Sequence, residues 1–314
     1  MQRSRREFMS LIGAAGMAGA LLRTGTVRSQ QEAPPLTITA LRGELQLIMG
    51  GGGNVVACPD GRSLLLVDSG SPASADSLQA LLDERFGAPV ALLFNTHWHL
   101  DHTGGNDTLA GAGDATIIAH ENTRLWMSTE FDVEWEGKHY ERRARTSWPT
   151  KTFFTSERQP LTVEFGGETI VYGHLLEAHT DGDIYVHFPQ RNVIVAGGAV
   201  TAGRYPVLDY ITGGWIGGMA DATTKLLGMM DAETLVVPDV GPVQRRADLE
   251  VQVKMLSTVR ERIEAIALQG RGVEDMLAEK ITREFDERYG GDSEQFIANA
   301  YEGMWWSRLL GIVA

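Results

Sequence analysis

The chain is short of cysteine: Cys58 stands alone among 314 residues. No intrachain disulfide can form, so the fold rests on a buried core, which a chain of this length can supply. A single cysteine does not decide the redox compartment, because a core of that size needs no covalent staples. Long apolar runs are missing as well. The stretch from about Leu11 to Leu22 is rich in Gly and Ala and falls short of the roughly 20 residues that span a bilayer. Basic residues are scarce, with 28 Lys and Arg against 41 Asp and Glu and a formal net charge of −13. The first thirty residues hold five Arg and one Glu, a net of +4, which leaves −17 on the remainder. Such a surface repels phosphate backbones and argues against nucleic acid and anionic lipid as partners.

What is present begins with an address. Ser4-Arg5-Arg6-Glu7-Phe8-Met9 resembles a twin-arginine export signal, and the short apolar stretch follows it in the expected order. Cleavage fits either Ala18-Gly19-Ala20 or a point before about Gln30. Residues 1–33 are therefore set aside as a leader, and residues 34–314 are read as one domain. The expected destination is the periplasm or another exported location, with no stable membrane insertion once the leader is removed.

From Leu36 onward, short apolar runs alternate with Gly-rich turns. Strands are predicted at 36–40, 45–49, 54–57, 63–67, 89–94 and 115–119, with a helix over 74–86 whose Leu78, Leu81 and Leu82 share a face. A helix is predicted to start at Asp101 and run to Leu109. Residues 129–151 lack periodicity and read as a functional rim or lid. Strands resume at 161–165, 168–172, 184–187, 193–196 and 235–238, and helices close the chain over 244–268, 273–289 and 293–310.

The chemistry concentrates in Asn95-Thr96-His97-Trp98-His99-Leu100-Asp101-His102-Thr103-Gly104-Gly105. Four potential ligand side chains fall within six residues. Imidazole is the commonest neutral metal ligand, and zinc accepts several. On extended chain leaving a strand, residues 97 and 99 point the same way and can grip one ion. Asp101 and His102, at a helix start, can face a second position beside it.

This His-x-His-x-Asp-His motif, together with Gly51-Gly52-Gly53-Asn54 and Val67-Asp68-Ser69-Gly70, resembles the metallo-β-lactamase superfamily. The resemblance implies an α/β fold of four layers, an α/β/β/α sandwich. It also implies a third ligand in Ala178-His179-Thr180-Asp181-Gly182-Asp183. His97, His99 and His179 would then hold zinc with one position open, the catalytic arrangement. Asp101 would align the water or take its proton, and His102 would polarise or protonate the leaving group.

Two positions depart from the family. Gly198, in Gly197-Gly198-Ala199, stands where relatives carry a bridging Asp, and Val240, in Pro238-Asp239-Val240-Gly241-Pro242, replaces a ligand His. One zinc per chain is expected, with Asp183 orienting an imidazole, or with Asp183 or Asp239 supplying a second-site oxygen if the loops rearrange. The expected function is an exported zinc hydrolase of a small-molecule ester, lactone, amide or related bond. The alternative is a non-catalytic metal- or ligand-binding relative. Trp98, Trp126, Trp135 and Trp148 are candidates for walls of the site or for packing, and Asp68 for a partner of a ligand histidine.

Overall fold

A computed structural model describes residues 35–111, 114–154 and 160–309, with side chains up to Trp305. The leader expected over residues 1–33 lies outside the described residues. Among the described residues, no helix is long and apolar enough to cross a membrane.

Seven strands form the first sheet. They are β1 (Thr37–Ala40), β2 (Gln46–Met49), β3 (Val55–Pro59), β4 (Leu64–Val67), β5 (Val90–Phe94), β6 (Thr116–His120) and, after a separate hairpin of β7 (Phe131–Val133) and β8 (Lys138–Tyr140), β9 (Lys151–Phe153). Neighbours are antiparallel from β1 to β4 and parallel from β4 to β9. The second sheet holds β10 (Leu161–Phe165), β11 (Glu168–His174), β12 (Ile184–Phe188), β13 (Val193–Gly197) and β14 (Leu235–Pro238), antiparallel except for the β13–β14 pair. The helices are α1 (Ala75–Phe86), α2 (Leu100–Thr103), α3 (Asn106–Leu109), α4 (Glu121–Ser128), α5 (Ile216–Met229), α6 (Arg246–Ala267), α7 (Val273–Ala278), α8 (Asp286–Tyr289) and α9 (Glu294–Leu309).

Strand periodicity builds the layers. In β4 every residue is buried, because successive side chains serve different faces. Leu65 and Val67 join Tyr172, Val186 and Val195 of the other sheet in an apolar layer between the two sheets. Leu64 and Leu66 turn the other way and meet Leu78 and Leu82 of α1. Across the molecule, Ile194, Ala196 and Val236 pack outward on α5, α6 and α9 through residues such as Leu226, Val259 and Ala300. Each fully buried leucine removes enough apolar surface from water to contribute about 1.5–3 kcal/mol. The result is the α/β/β/α sandwich that the sequence resemblance implied. Cys58 is one of the apolar groups buried between the sheets.

The structure departs from the sequence reading in four places. The helix expected from Asp101 to Leu109 is broken at Gly104-Gly105 into α2 and α3, because both glycines pass against the Ser69–Pro72 loop. A Cβ on Gly104 would sit 2.2 Å from Pro72 Cδ, and one on Gly105 2.2 Å from Ser69 O. The segment 129–151 contains the β7–β8 hairpin. The helix expected over 273–289 stops after Ala278, and Lys280 turns to φ 52°. Helix α5 gives little sequence signal because its first turn carries Gly217 and Gly218. A Cβ on Gly218 would lie 2.1 Å from Glu177 O, so helix propensity yields there to close packing.

Candidate metal centre

The site forms where strands end. Asp68 follows β4, His97 and His99 follow β5, Gly198 follows β13 and Asp239 follows β14. The β5 chain stays extended after Phe94. Asn95 N–H donates to Ile118 O (3.0 Å), and Thr96 O accepts from Ile184 N–H (2.8 Å), tying the loop to both sheets. On that extended stretch His97 and His99 alternate onto one side, their rings 4.9 Å apart. His179 arrives from the loop between β11 and β12, with ring centroids 4.7 Å from His97 and 4.6 Å from His99. One ligand nitrogen from each of the three lies within 4.8 Å of the others.

Hydrogen bonding decides which nitrogen each ring offers. Asp68 accepts from Thr96 N–H (2.7 Å) and Thr96 Oγ1–H (2.8 Å). With its proton given to Asp68, the Thr96 hydroxyl accepts from His97 Nδ1–H at 3.0 Å, leaving Nε2 of His97 as the lone-pair atom. His99 Nε2–H donates to the Asp209 carboxylate at 3.1 Å, which leaves Nδ1. His179 Nδ1–H donates to Val207 O at 2.6 Å, which leaves Nε2. The partner atoms therefore fix three tautomers and aim three lone pairs inward. Two of them, His179 Nε2 and His99 Nδ1, face each other at 2.9 Å. Facing lone pairs that close repel unless a positive ion lies between or beside them. The set therefore fits a metal ion.

Electrostatics keep two of the rings in the ligand form. Burial and the neighbouring imidazoles His102, His179 and His99 hold His97 well below the ordinary histidine range. Burial, with His99 beside it, takes His179 down to about 3. His102 behaves differently. Burial pushes it down, but the carboxylates of Asp101 and Asp68 outweigh that and raise it to about 9. Its Nδ1 lies 2.8 Å from Asp68 Oδ2 and its Nε2 lies 3.8 Å from Asp101 Oδ2. Asp101 itself is half exposed at the cavity, while His102 is buried.

The centre opens into a cavity of about 930 Å³ whose far wall is the β7–β8 hairpin and the residues just after it, including Trp135, Tyr140 and Arg143. The rim expected over 129–151 thus borders the site. Trp98 does not wall it. The indole is 1% exposed and lies behind His99, edge-on to its ring at 4.3 Å, packed against Met127 and Val133 with Phe131 and Tyr140 at 5.1 and 4.9 Å. Trp126 and Trp148 pack around the same small core, and only Trp135 of the four reaches the cavity. Arg143 donates to Trp98 O at 2.7 Å and to Thr103 Oγ1, and so clamps the motif loop from the hairpin side.

Residues 49–243 match the metallo-beta-lactamase superfamily model, more than half of the chain. The chain belongs to the metallo-beta-lactamase superfamily. The α subunit of a 2,4-dinitroanisole O-demethylase from Nocardioides sp. (strain JS1661) is 26% identical over 210 residues, 66% of this chain and 58% of that one. The metallo-beta-lactamase IND-1 of Chryseobacterium indologenes is 25% identical over 164 residues, 52% of this chain and 60% of that one. The chain thus spans about three fifths of the length of these relatives. A solved metallo-beta-lactamase from Pontibacter korlensis shares the fold, with a TM-score of 0.57, 17% identity, and coverage of 71% of this chain and 99% of that one.

The departure at Gly198 has a physical cause in the fold. A Cβ on Gly198 would lie 2.2 Å from His179 Cδ2 and 2.5 Å from its Cγ, so the ring occupies the space of any side chain there. Val240 brings no donor. Asp183 makes no hydrogen bond to an imidazole and does not line the cavity. Its carboxylate accepts from the backbone N–H of His179 (2.5 Å) and Thr180 (2.8 Å) and from Thr180 Oγ1–H (3.0 Å), which shapes the loop instead. Asp239 accepts from Val240 N–H at 2.7 Å and pairs with Arg204. Arg204 gives no local sequence signal; its place at the centre is purely spatial. Asp209, in a stretch with Tyr205-Pro206 and Gly213-Gly214 that resembles one bordering the metal pocket in an exported branch of the superfamily, lies buried beneath His99.

Proposed function

We propose that this chain is an exported hydrolase that uses one zinc ion, held by His97, His99 and His179, on an ester, lactone, amide or related bond of a small molecule. The carrying observation is the set of three inward nitrogens whose outer nitrogens are committed to Thr96, Asp209 and the Val207 carbonyl. Three neutral nitrogens with an open face suit a catalytic rather than a closed structural site. Bound zinc supplies Lewis acidity and water acidified to near neutrality. The chain's own part follows from geometry. Asp101, half exposed at the cavity edge, accepts a proton or hydrogen bond from the attacking water. His102, anchored by Asp68, turns Nε2 toward that side and donates to the leaving atom. The hairpin wall shields the bond from bulk water and shapes the substrate space.

Retention of five polar groups around one cavity supports turnover over mere binding. A panel of ester, lactone, thioester and cephalosporin substrates, assayed with zinc and with a chelator, tests this. Turnover on at least one class, lost with chelator and in His97→Ala, is expected; no turnover on any class by a zinc-loaded chain would favour the binding-only relative. The acidic balance supports a small substrate over nucleic acid. Export by the twin-arginine route rests on Ser4–Met9, and fractionation of cells carrying Arg5→Lys with Arg6→Lys tests it: retention in the cytoplasm is expected.

A further inference from the structure

The position beside His102 is not simply missing two ligands; a cation, Arg204, pairs with Asp239 at the same cavity. Asp101 lies 3.8 Å from His102 Nε2. Asp239 is held next to Asp101 by adjacent backbone bonds, Gly53 N–H donating to Asp101 O (2.8 Å) and Asn54 N–H to Asp239 O (2.6 Å). Arg204 pairs with Asp239 through its guanidinium, and all four residues line the cavity that the three ligand histidines open into. Taken without Arg204, His102 Nε2 with one oxygen each from Asp101 and Asp239 makes a nitrogen and two carboxylates, a set that zinc accepts. With Arg204 present, Asp239 is spent: one oxygen meets the guanidinium and the other accepts from Val240 N–H. A guanidinium stays charged at any working pH, and in direct contact with Asp239 it repels a divalent ion that would bind the same carboxylate. Its side chain is nearly half exposed, so it is tied down chiefly by this pair and needs no core packing to stay.

Resting on the one-zinc reading above, we propose that Arg204 takes the place of the second metal. It occupies Asp239, keeps the centre mononuclear, and leaves a fixed positive charge across the cavity from the three-histidine site. The loss of donors at Gly198 and Val240 is then matched by a gain, a built-in cation that no metal depletion can remove.

The experiment is elemental analysis of the full-length chain after equilibration with excess zinc and dialysis, with calorimetric titration of zinc, for the wild type, R204A, R204K and R204A/D239N. We expect one zinc in the wild type and in R204K. We expect two in R204A, the second bound about 10- to 100-fold more tightly than any second ion in the wild type, and one again in R204A/D239N. One zinc in both the wild type and R204A overturns the role of Arg204 and leaves the three-histidine reading standing. Two zinc ions in the wild type also overturn it. No zinc in the wild type brings down the one-zinc reading itself. Should R204A fail to fold, R204Q carries the same expectation.

Discussion

One carboxylate, that of Asp68, holds both ends of the metal motif: it lies 2.8 Å from His102 Nδ1 and accepts two hydrogen bonds from Thr96, which in turn fixes His97. Its backbone sits at φ 64°, an unusual cost for a non-glycine residue, which this double anchorage offsets. Asp68→Asn keeps the size but places an amide where Thr96 N–H, Thr96 Oγ1–H and His102 all require acceptors. Turnover is expected to fall about 10- to 100-fold, the usual effect of losing a partner of a ligand histidine. Zinc content should stay near one per chain, since His99 and His179 keep their own partners. Unchanged kcat in Asp68→Asn would show that His102 needs no orientation.

Restoring the superfamily's carboxylate should fail here. Gly198→Asp places Cβ within 2.2 Å of the His179 ring, so the ring must leave its position. We expect the variant to lose its first zinc without gaining a second, and to be destabilised by about 1–3 kcal/mol, the range for forcing atoms into a packed site. Elemental analysis and thermal unfolding check both parts; a variant holding two zinc ions would refute the packing argument.

Trp98 links the motif to the hairpin. Its Nε1–H donates to Thr212 Oγ1 at 3.0 Å, whose hydrogen bond to Asp209 (2.6 Å) continues to His99. Trp98→Ala is expected to cost about 3–5 kcal/mol as a large-to-small core change and to free the β7–β8 hairpin. A raised KM and earlier proteolytic cleavage between residues 129 and 145 are the readouts. Trp98→Phe should keep most of the stability and lose the polar link alone, so its effect should appear in zinc affinity.

A pair of stacked histidines predicts acid sensitivity. His120 and His174 lie face to face at 3.9 Å, with burial holding them at about 3 and about 4. In the unfolded chain each titrates near 6.5. The unfolded state therefore binds protons that the folded state refuses as pH falls below about 6.5. Their contribution is fully present above that value and declines toward pH 4. Plots of Tm against pH between 7.5 and 5 should be shallower for His174→Gln than for the wild type. Parallel slopes would refute the assignment.

Local chemistry was legible in the chain itself. His97 and His99 could be paired because alternation along an extended strand is a property of two peptide units, and Leu64–Val67 reads as a strand buried on both faces because it is apolar throughout. His120, at the junction of β6 and α4, caps the helix by accepting from Asn122 N–H. The same reasoning failed at α5, where packing of Gly218 on Glu177 overrides propensity, and at the hairpin, whose short strands carry charges on an exposed face.

The sequence by itself determined the scaffold, the motif and its nitrogens, because those depend on spacing within a few residues. Only the tertiary structure decided the tautomers, the exclusion of a carboxylate at Gly198, and the pairing of Arg204 with Asp239. Each of these is a contact between segments that meet only when the two sheets close on each other. No local pattern encodes such a meeting; it is set by the packing of the whole core.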